Sequence, residues 1–209
     1  MFKVLSLFLL IFTLNASSNY PCFSDQELKN IKNISGRIAK NRVMDYTNTI
    51  DSFVMLTKEK QLIRVNAYLN QLLPQVDMLN QKQPDHWETP KEFLTCGYGD
   101  CEDYAIIKYF TLLKLGFSKD KLYITTAREK YSGGYHMVLS YFESIDAPPL
   151  ILDNLSFRIL DLKTREDLKV DIFMNESGTY KIDKFNHLKR TGKAPDKFIN
   201  LIERIKKEN

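Results

Sequence analysis

Three residues whose types together support nucleophilic thiol chemistry follow one another along the chain: Cys101, His136 and Asp153. A thiol nucleophile needs a base within hydrogen-bond reach, and that base needs a third group to fix its tautomer. Cys101 comes just after two glycines and opens an apolar-periodic run that stops at Gly116. This pattern predicts a cysteine at the first turn of a buried helix, where the helix N-terminus favours the thiolate.

Acidic residues flank this cysteine, and they work against a thiolate. Asp100 precedes Cys101, and Glu102 and Asp103 follow it. Nearby negative charge raises the pKa of a thiol. Asp100 stands where a helix N-cap belongs and Asp103 three residues later, so both could be caps and Glu102 a surface acid. The local sequence alone leaves this electrostatic conflict open.

The histidine and the acid lie in predicted strands. In Tyr135–Tyr141, His136 shares one strand face with Val138, and Leu139 points to the other face. A strand histidine is equally compatible with a satisfied core residue. Asp153 interrupts the apolar strand predicted over 150–155, and a buried acid needs a partner. Asp146 and Asp161 are weaker candidates for the acid. His86 and His187 lie in polar segments, which is typical of structural or solvated histidines.

The elements that must position these residues follow a helix-then-strand order. Helical periodicity dominates residues 20–80, with Ser24 as an N-cap. Thr89-Pro90-Lys91-Glu92 predicts the start of a short helix that ends near Cys96. The strands are predicted over 122–126, 135–141 and 150–155, with a further hairpin around 175–178 and a closing helix over 195–205. We therefore predict an α+β domain, with helices packed on an antiparallel sheet.

The first residues have the composition of a secretory signal peptide, predicted over 1–18. A short basic start precedes the apolar run 4–14 and then small residues. The run is short for a membrane span, and an uncleaved anchor is the alternative. Residues 19–209 then form a single exported domain. The net charge of +4 is scattered and too small to indicate a nucleic-acid partner.

The cysteine count also favours a free thiol. The chain has three cysteines, Cys22, Cys96 and Cys101, and an odd count leaves at least one unpaired. Cys101 is the residue with a reason to stay unpaired. Cys96 is expected to be a small buried residue. A Cys22–Cys96 disulfide is the alternative.

Four stretches resemble the bacterial transglutaminase-like cysteine proteinases, and the resemblance extends from about Val65 to Tyr180. These stretches are Trp87-Glu88-Thr89-Pro90, Gly97 to Ile106 with Lys108-Tyr109, His136-Met137-Val138-Leu139, and Leu152-Asp153-Asn154-Leu155. The resemblance implies a papain/transglutaminase-like fold with the nucleophile at a helix N-terminus. It also implies that Cys101 is the nucleophile, His136 the general base and acid, and Asp153 the orienting group.

The resemblance further implies a calcium ion bound by Asp100, Glu102 and Asp103. Carboxylates are hard oxygen ligands that suit Ca²⁺, and the cation would offset their charge. This would remove the electrostatic conflict at the cysteine. We then expect Cys101 to face His136 while the flanking carboxylates face away toward the ion.

The function that the resemblance implies is that of a periplasmic endopeptidase of surface adhesins. The substrate would be a very large adhesin, cleaved near its N-terminus at a dialanine-type site, which releases it and promotes biofilm dispersal. The periplasmic domain of an inner-membrane cyclic-di-GMP receptor would control access to the protease. Trp87 lies near the corresponding docking region, although a single Trp is more often a core residue. The rival hypotheses are a transglutaminase-type acyl transferase and a non-enzymatic binding module.

Two residues depart from the pattern of this family. His86 stands where an aromatic residue is more usual, and Cys96 is not typical of the family. Both lie close to the predicted docking region rather than in the predicted triad. They therefore affect the expected docking surface and leave the catalytic prediction unchanged.

Overall fold

The computed structural model describes residues 20–74, 86–144, 147–183 and 187–208. The predicted signal peptide and Asp146 lie outside the described residues. Within the described ranges, no helix combines the length and the apolar character that a membrane crossing requires.

Two helices open the described chain. Helix α1 spans Asp25–Phe53 and α2 spans Lys58–Leu69. The predicted start of α1 is confirmed, because the Ser24 side chain accepts a hydrogen bond from the Glu27 N–H and Glu27 caps in return. The helix is interrupted only at Gly36, whose φ of +88° breaks the helical geometry and kinks the element.

Helices α3 and α4 flank the turn that presents the cysteine. Helix α3 spans Pro90–Cys96, and the predicted capping box between Thr89 and Glu92 is present. Gly97, with a φ of +84°, ends α3 in the left-handed conformation that glycine tolerates best. Helix α4 spans Cys101–Lys114, so Cys101 is its first residue, as predicted.

The strands form one short pair and one larger sheet within the described residues. The strands are β1 (Leu73–Pro74), β2 (Tyr98–Gly99), β3 (Leu122–Glu129), β4 (Tyr135–Tyr141), β5 (Leu150–Leu152), β6 (Leu160–Asp161), β7 (Leu168–Asn175), β8 (Gly178–Ile182) and β9 (Leu188–Gly192). β1 and β2 pair in parallel. The others form an antiparallel sheet in the order β6-β5-β4-β3-β7-β8-β9. The predicted α+β fold, with helices on an antiparallel sheet, is confirmed.

The main core lies between α4 and one face of this sheet. Leu139 and Tyr141 of β4 belong to that core, whereas Val138 belongs to a second apolar cluster with Ala127 and Ile151. The predicted alternation of β4 is therefore confirmed. Helix α5 (Asp196–Lys207) closes the structure and buries Phe198, Leu201 and Ile205 in the main core.

The strand that precedes Asp153 is shorter than predicted. β5 ends at Leu152, and Asp153 begins a turn in which its Oδ1 accepts a hydrogen bond from the Leu155 N–H at 2.9 Å. The Ser156 N–H donates to the Asp153 carbonyl at 3.4 Å. Asp153 therefore ends the apolar strand, because its side chain accepts a hydrogen bond from the backbone N–H two residues later, as Asp commonly does in turns.

Candidate active site

The turn that presents Cys101 needs glycine at two positions. The Arg42 guanidinium donates to the carbonyls of Leu94 and Thr95 at the end of α3, at 3.0 and 2.9 Å. A Cβ on Gly97 would clash with the guanidinium of Arg42, and one on Gly99 would lie 2.7 Å from Asp103 Oδ2. Side chains therefore crowd this turn from both sides, and only residues without a Cβ fit there.

The Cys101 thiol contacts its own flanking acid. Its Sγ donates to Glu102 Oε2 at 3.3 Å, and the Met137 backbone N–H donates to the sulfur. Burial raises the pKa of the thiol, and the charge of Glu102 raises it further. Among the described residues, the sulfur has no hydrogen bond to His136. This arrangement differs from the expected one, in which the thiol faces His136 and the carboxylates face away.

His136 and Asp153 form a buried, hydrogen-bonded pair. His136 Nε2 lies 2.8 Å from Asp153 Oδ1, and the two side chains are 6% and 0% exposed. An ionised carboxylate only accepts, so Nε2 carries the proton in this bond and Nδ1 is left as the nitrogen that can accept one from a thiol. His136 is the neighbour of Met137, whose amide contacts Cys101. The sequence order Cys, His, Asp thus brings its last two members into direct contact.

Arg165 is a member of this cluster that the sequence did not reveal. Its Nη2 donates to Asp153 Oδ2 at 2.8 Å and to Asp167 Oδ2 at 2.7 Å. Burial alone would raise the pKa of Asp153, but the hydrogen bonds from His136, Leu155 and Arg165 outweigh it and hold the pKa below its usual range. Asp153 therefore stays ionised between an imidazole and a guanidinium.

Lys108 is a second basic residue near Asp153. It lies on α4 and is 0% exposed, and its Nζ makes no hydrogen bond to the described residues. Burial lowers its pKa to about 7, and the attraction of Asp153 only partly opposes this. The sequence pattern does not reveal this residue. A helical apolar pattern would assign its position to a hydrophobic residue.

The three predicted calcium ligands do not occupy equivalent positions. Asp103 is buried, where Oδ1 accepts from the Glu88 N–H at 2.7 Å and Oδ2 from the Asp100 N–H at 3.3 Å. Burial raises its pKa to about 8, and the charges of Glu88 and Glu102 add to the effect. Within the described ranges, no three acidic, histidine or cysteine side chains converge as a metal site would require.

The chemistry of these donors nevertheless fits a hard cation. Four carboxylates, from Glu88, Asp100, Glu102 and Asp103, surround one helix start, and like charges among them raise the pKa of Asp103. A divalent cation would favour the ionised form of each. The capping interpretation also holds for Asp103, because its carboxylate already bonds two backbone amides.

Comparison with known proteins identifies the family of this chain. The family model of the bacterial transglutaminase-like cysteine proteinases (BTLCP) matches residues 37–168. The chain belongs to this family. LapG of Legionella pneumophila in its calcium-bound structure is 34% identical, with a TM-score of 0.71 over 85% of this chain and 98% of that one. Its EGTA-treated structure is also 34% identical, with a TM-score of 0.72 over 85% and 97%. No curated protein matches the sequence.

The remaining candidates take structural positions in this bacterial transglutaminase-like cysteine proteinase. Asp161 accepts hydrogen bonds from Lys163 and Thr164 within its own turn. His187 lies near the carboxylate of Asp183 on the surface. His86 contacts Arg204. None of these residues contacts the His136–Asp153 pair.

The structure also tests the predictions for the cysteines and for Trp87. Cys22, Cys96 and Cys101 form no disulfide, so the alternative Cys22–Cys96 bridge is absent, and Cys96 is half-buried rather than fully buried as predicted. Trp87 is 6% exposed and lies in the main core. Trp87 is therefore a core residue, and a docking partner would contact the residues around it rather than its ring.

Proposed function

We propose that this member of the family is a periplasmic, calcium-dependent cysteine endopeptidase with Cys101, His136 and Asp153 as its catalytic residues. The observation that carries the proposal is the buried 2.8 Å bond between His136 and Asp153, next to the amide that contacts the Cys101 sulfur. A base oriented by an acid beside a thiol at a helix N-terminus is the arrangement that acyl transfer through a thioester needs.

The chain's own residues account for each step of the proposed reaction. His136 Nδ1 accepts the thiol proton once the Sγ–H turns from Glu102, and the thiolate attacks the scissile carbonyl. Backbone N–H groups at the start of α4, including that of Cys101, lack intrahelical partners and can hold the oxyanion. His136 then gives the proton to the leaving amine, and water hydrolyses the thioester. Asp153 fixes the ring throughout.

The proposed calcium site comprises Asp100, Glu102 and Asp103, with Glu88 beside them. When bound, Ca²⁺ would neutralise carboxylates that raise the thiol pKa. The support is the chemistry of the donor set and the 34% identity to a protein with a calcium-bound structure. We expect EGTA to lower activity, Ca²⁺ to restore it and Mg²⁺ not to restore it. Activity that is indifferent to the chelator would contradict this part of the proposal.

The proposed substrate is a very large surface adhesin, cut near its N-terminus at a dialanine-type site so that the adhesin is released and the biofilm disperses. Family membership supports this choice, and the signal peptide predicted over residues 1–18 is consistent with it. The proposed partner is the periplasmic domain of an inner-membrane cyclic-di-GMP receptor.

Incubation with an adhesin N-terminal fragment tests the function. The protein should cut the fragment, and Cys101→Ala should abolish cleavage while Cys96→Ala, which replaces another cysteine on the neighbouring helix, keeps it. A fluorescent primary amine in the same reaction distinguishes an acyl transferase. Amine incorporation without cleavage would replace the protease with that rival, and receptor binding without either reaction would favour a binding module.

A further inference from the structure

Asn66 of α2 and Asn70, the residue that caps the C-terminus of α2, hold the turn that carries Asp153. Asn70 Nδ2 donates to the backbone carbonyl of Asp153 at 2.7 Å and to that of Ser156 at 2.9 Å. Asn66 Nδ2, one helical turn earlier, donates to the Ser156 carbonyl at 2.8 Å. Residues 153–156 form a turn, so Asn70 binds both of its ends and Asn66 binds one of them.

Hydrogen bonds to the turn fix the orientation of the Asn66 and Asn70 side chains. Carbonyl oxygens only accept, so the Nδ2 atoms must face them and the orientation of both amides is fixed. The Oδ1 atoms of Asn66 and Asn70 are buried and accept no hydrogen bond from the described residues. A buried polar atom without a partner is costly, and the side-chain hydrogen bonds that the two residues donate within the described ranges all go to the Asp153 turn.

The chain that follows α2 also holds the nucleophile. β1 comes directly after α2 and pairs with β2, which lies just before Cys101. The Tyr104 hydroxyl, in the first turn of α4, donates to the Leu72 carbonyl at 2.6 Å. One short stretch, residues 66–74, therefore contacts both the acid turn and the cysteine turn.

We propose that Asn70, assisted by Asn66, is a positioning residue for the Asp153 carboxylate. The inference rests on the proposed function, in which Asp153 orients His136. Asn70 acts through the backbone of Asp153, whose Oδ1 binds His136 Nε2. A shift of the turn therefore displaces the imidazole relative to Cys101, and α2 sets the distance between the two halves of the site.

Three alanine variants separate this role from a merely structural one. Asn70→Ala removes the bonds to both carbonyls, Asn66→Ala removes only one bond to Ser156, and Asn30→Ala replaces an exposed asparagine of α1 as a control. We expect Asn70→Ala to lower kcat about tenfold or more with KM nearly unchanged, because misplaced catalytic groups cost rate rather than substrate affinity. Asn66→Ala should lose less kcat for a similar fall in Tm, and Asn30→Ala should resemble the wild type.

Alkylation of Cys101 by iodoacetamide, followed by mass spectrometry across pH 5–9, gives a readout that needs no peptide substrate. In Asn70→Ala the rate at neutral pH should fall about tenfold and its pH profile should approach that of His136→Ala. Wild-type alkylation and wild-type kcat in Asn70→Ala would overturn the proposal, and so would equal kcat losses in Asn66→Ala and Asn70→Ala. If the wild type cuts no adhesin fragment but alkylation still depends on Asn70, the protease assignment fails and the positioning role stands.

Discussion

Replacement of Lys108 by Met should make stability less dependent on pH. The amine is fully buried, and burial lowers its pKa from 10.5 to about 7. Because the folded-state pKa is depressed, the unfolded chain binds more protons between pH 7 and 10.5, and stability rises with pH over that range. Met keeps the length of the side chain and removes the titration.

The magnitude follows from the two pKa values. Each full proton of difference changes the free energy of unfolding by about 1.4 kcal/mol per pH unit. Between pH 7.5 and 9.5, the folded chain is mostly deprotonated at Lys108 while the unfolded chain is mostly protonated. The wild type should therefore gain roughly 2–3 kcal/mol over this interval relative to Lys108→Met.

Urea unfolding at pH 7.5, 8.5 and 9.5 measures this gain, with Lys32→Met as the matched control. Lys32 is exposed on α1, so its replacement should leave the pH dependence of the wild type unchanged. Use of a Cys101→Ala background removes thiol ionisation and self-cleavage. If the free energy of unfolding changed with pH in the same way for the wild type and Lys108→Met, the reasoning would be refuted, since the amine would then keep an ordinary pKa in the folded state.

Two further substitutions test the turn before Cys101 and the guanidinium at Asp153. Gly97→Ala should lower the free energy of unfolding by about 1–3 kcal/mol and lower activity, since it combines a φ of +84° with a clash on Arg42. Gly116→Ala is its control, with a φ of +79° and only the Lys58 amine nearby; equal losses in thermal melts would exclude the clash. Arg165→Met should destabilise the protein at pH 7, because Arg165 helps to lower the pKa of Asp153, and the difference should shrink as pH falls below about 4. A difference in urea unfolding that stays constant down to pH 3 would contradict this.

The features that the sequence predicted well are those encoded locally. Ser24 and Thr89 lie three residues from the acids that complete their caps, and Cys101 opens its helix directly after a glycine turn. Each signal lies within a few residues, which is the range over which capping and turn preferences act.

The features that the sequence did not predict depend on distant contacts. Asn70 meets the Asp153 carbonyl across 83 residues, and nothing near Asn70 distinguishes it from an exposed asparagine. Arg165 lies in a polar loop and gains its role only when β5 and β7 join the same sheet. The orientation of the thiol toward Glu102 depends on one side-chain torsion, to which residue spacing is insensitive.

The contacts of α5 with the start of α3 have a consequence for the order in which the protein folds during synthesis. Arg204 donates to the Trp87 carbonyl and to Glu92, and Glu208 accepts from the Thr89 hydroxyl and from Tyr20. A ribosome makes residues 86–96 long before residues 204–208. The segment that leads into the cysteine turn therefore gains its last partners only after α5 has emerged and docked. A nascent chain that ends before α5 carries Cys101, His136 and Asp153 but lacks these contacts around them.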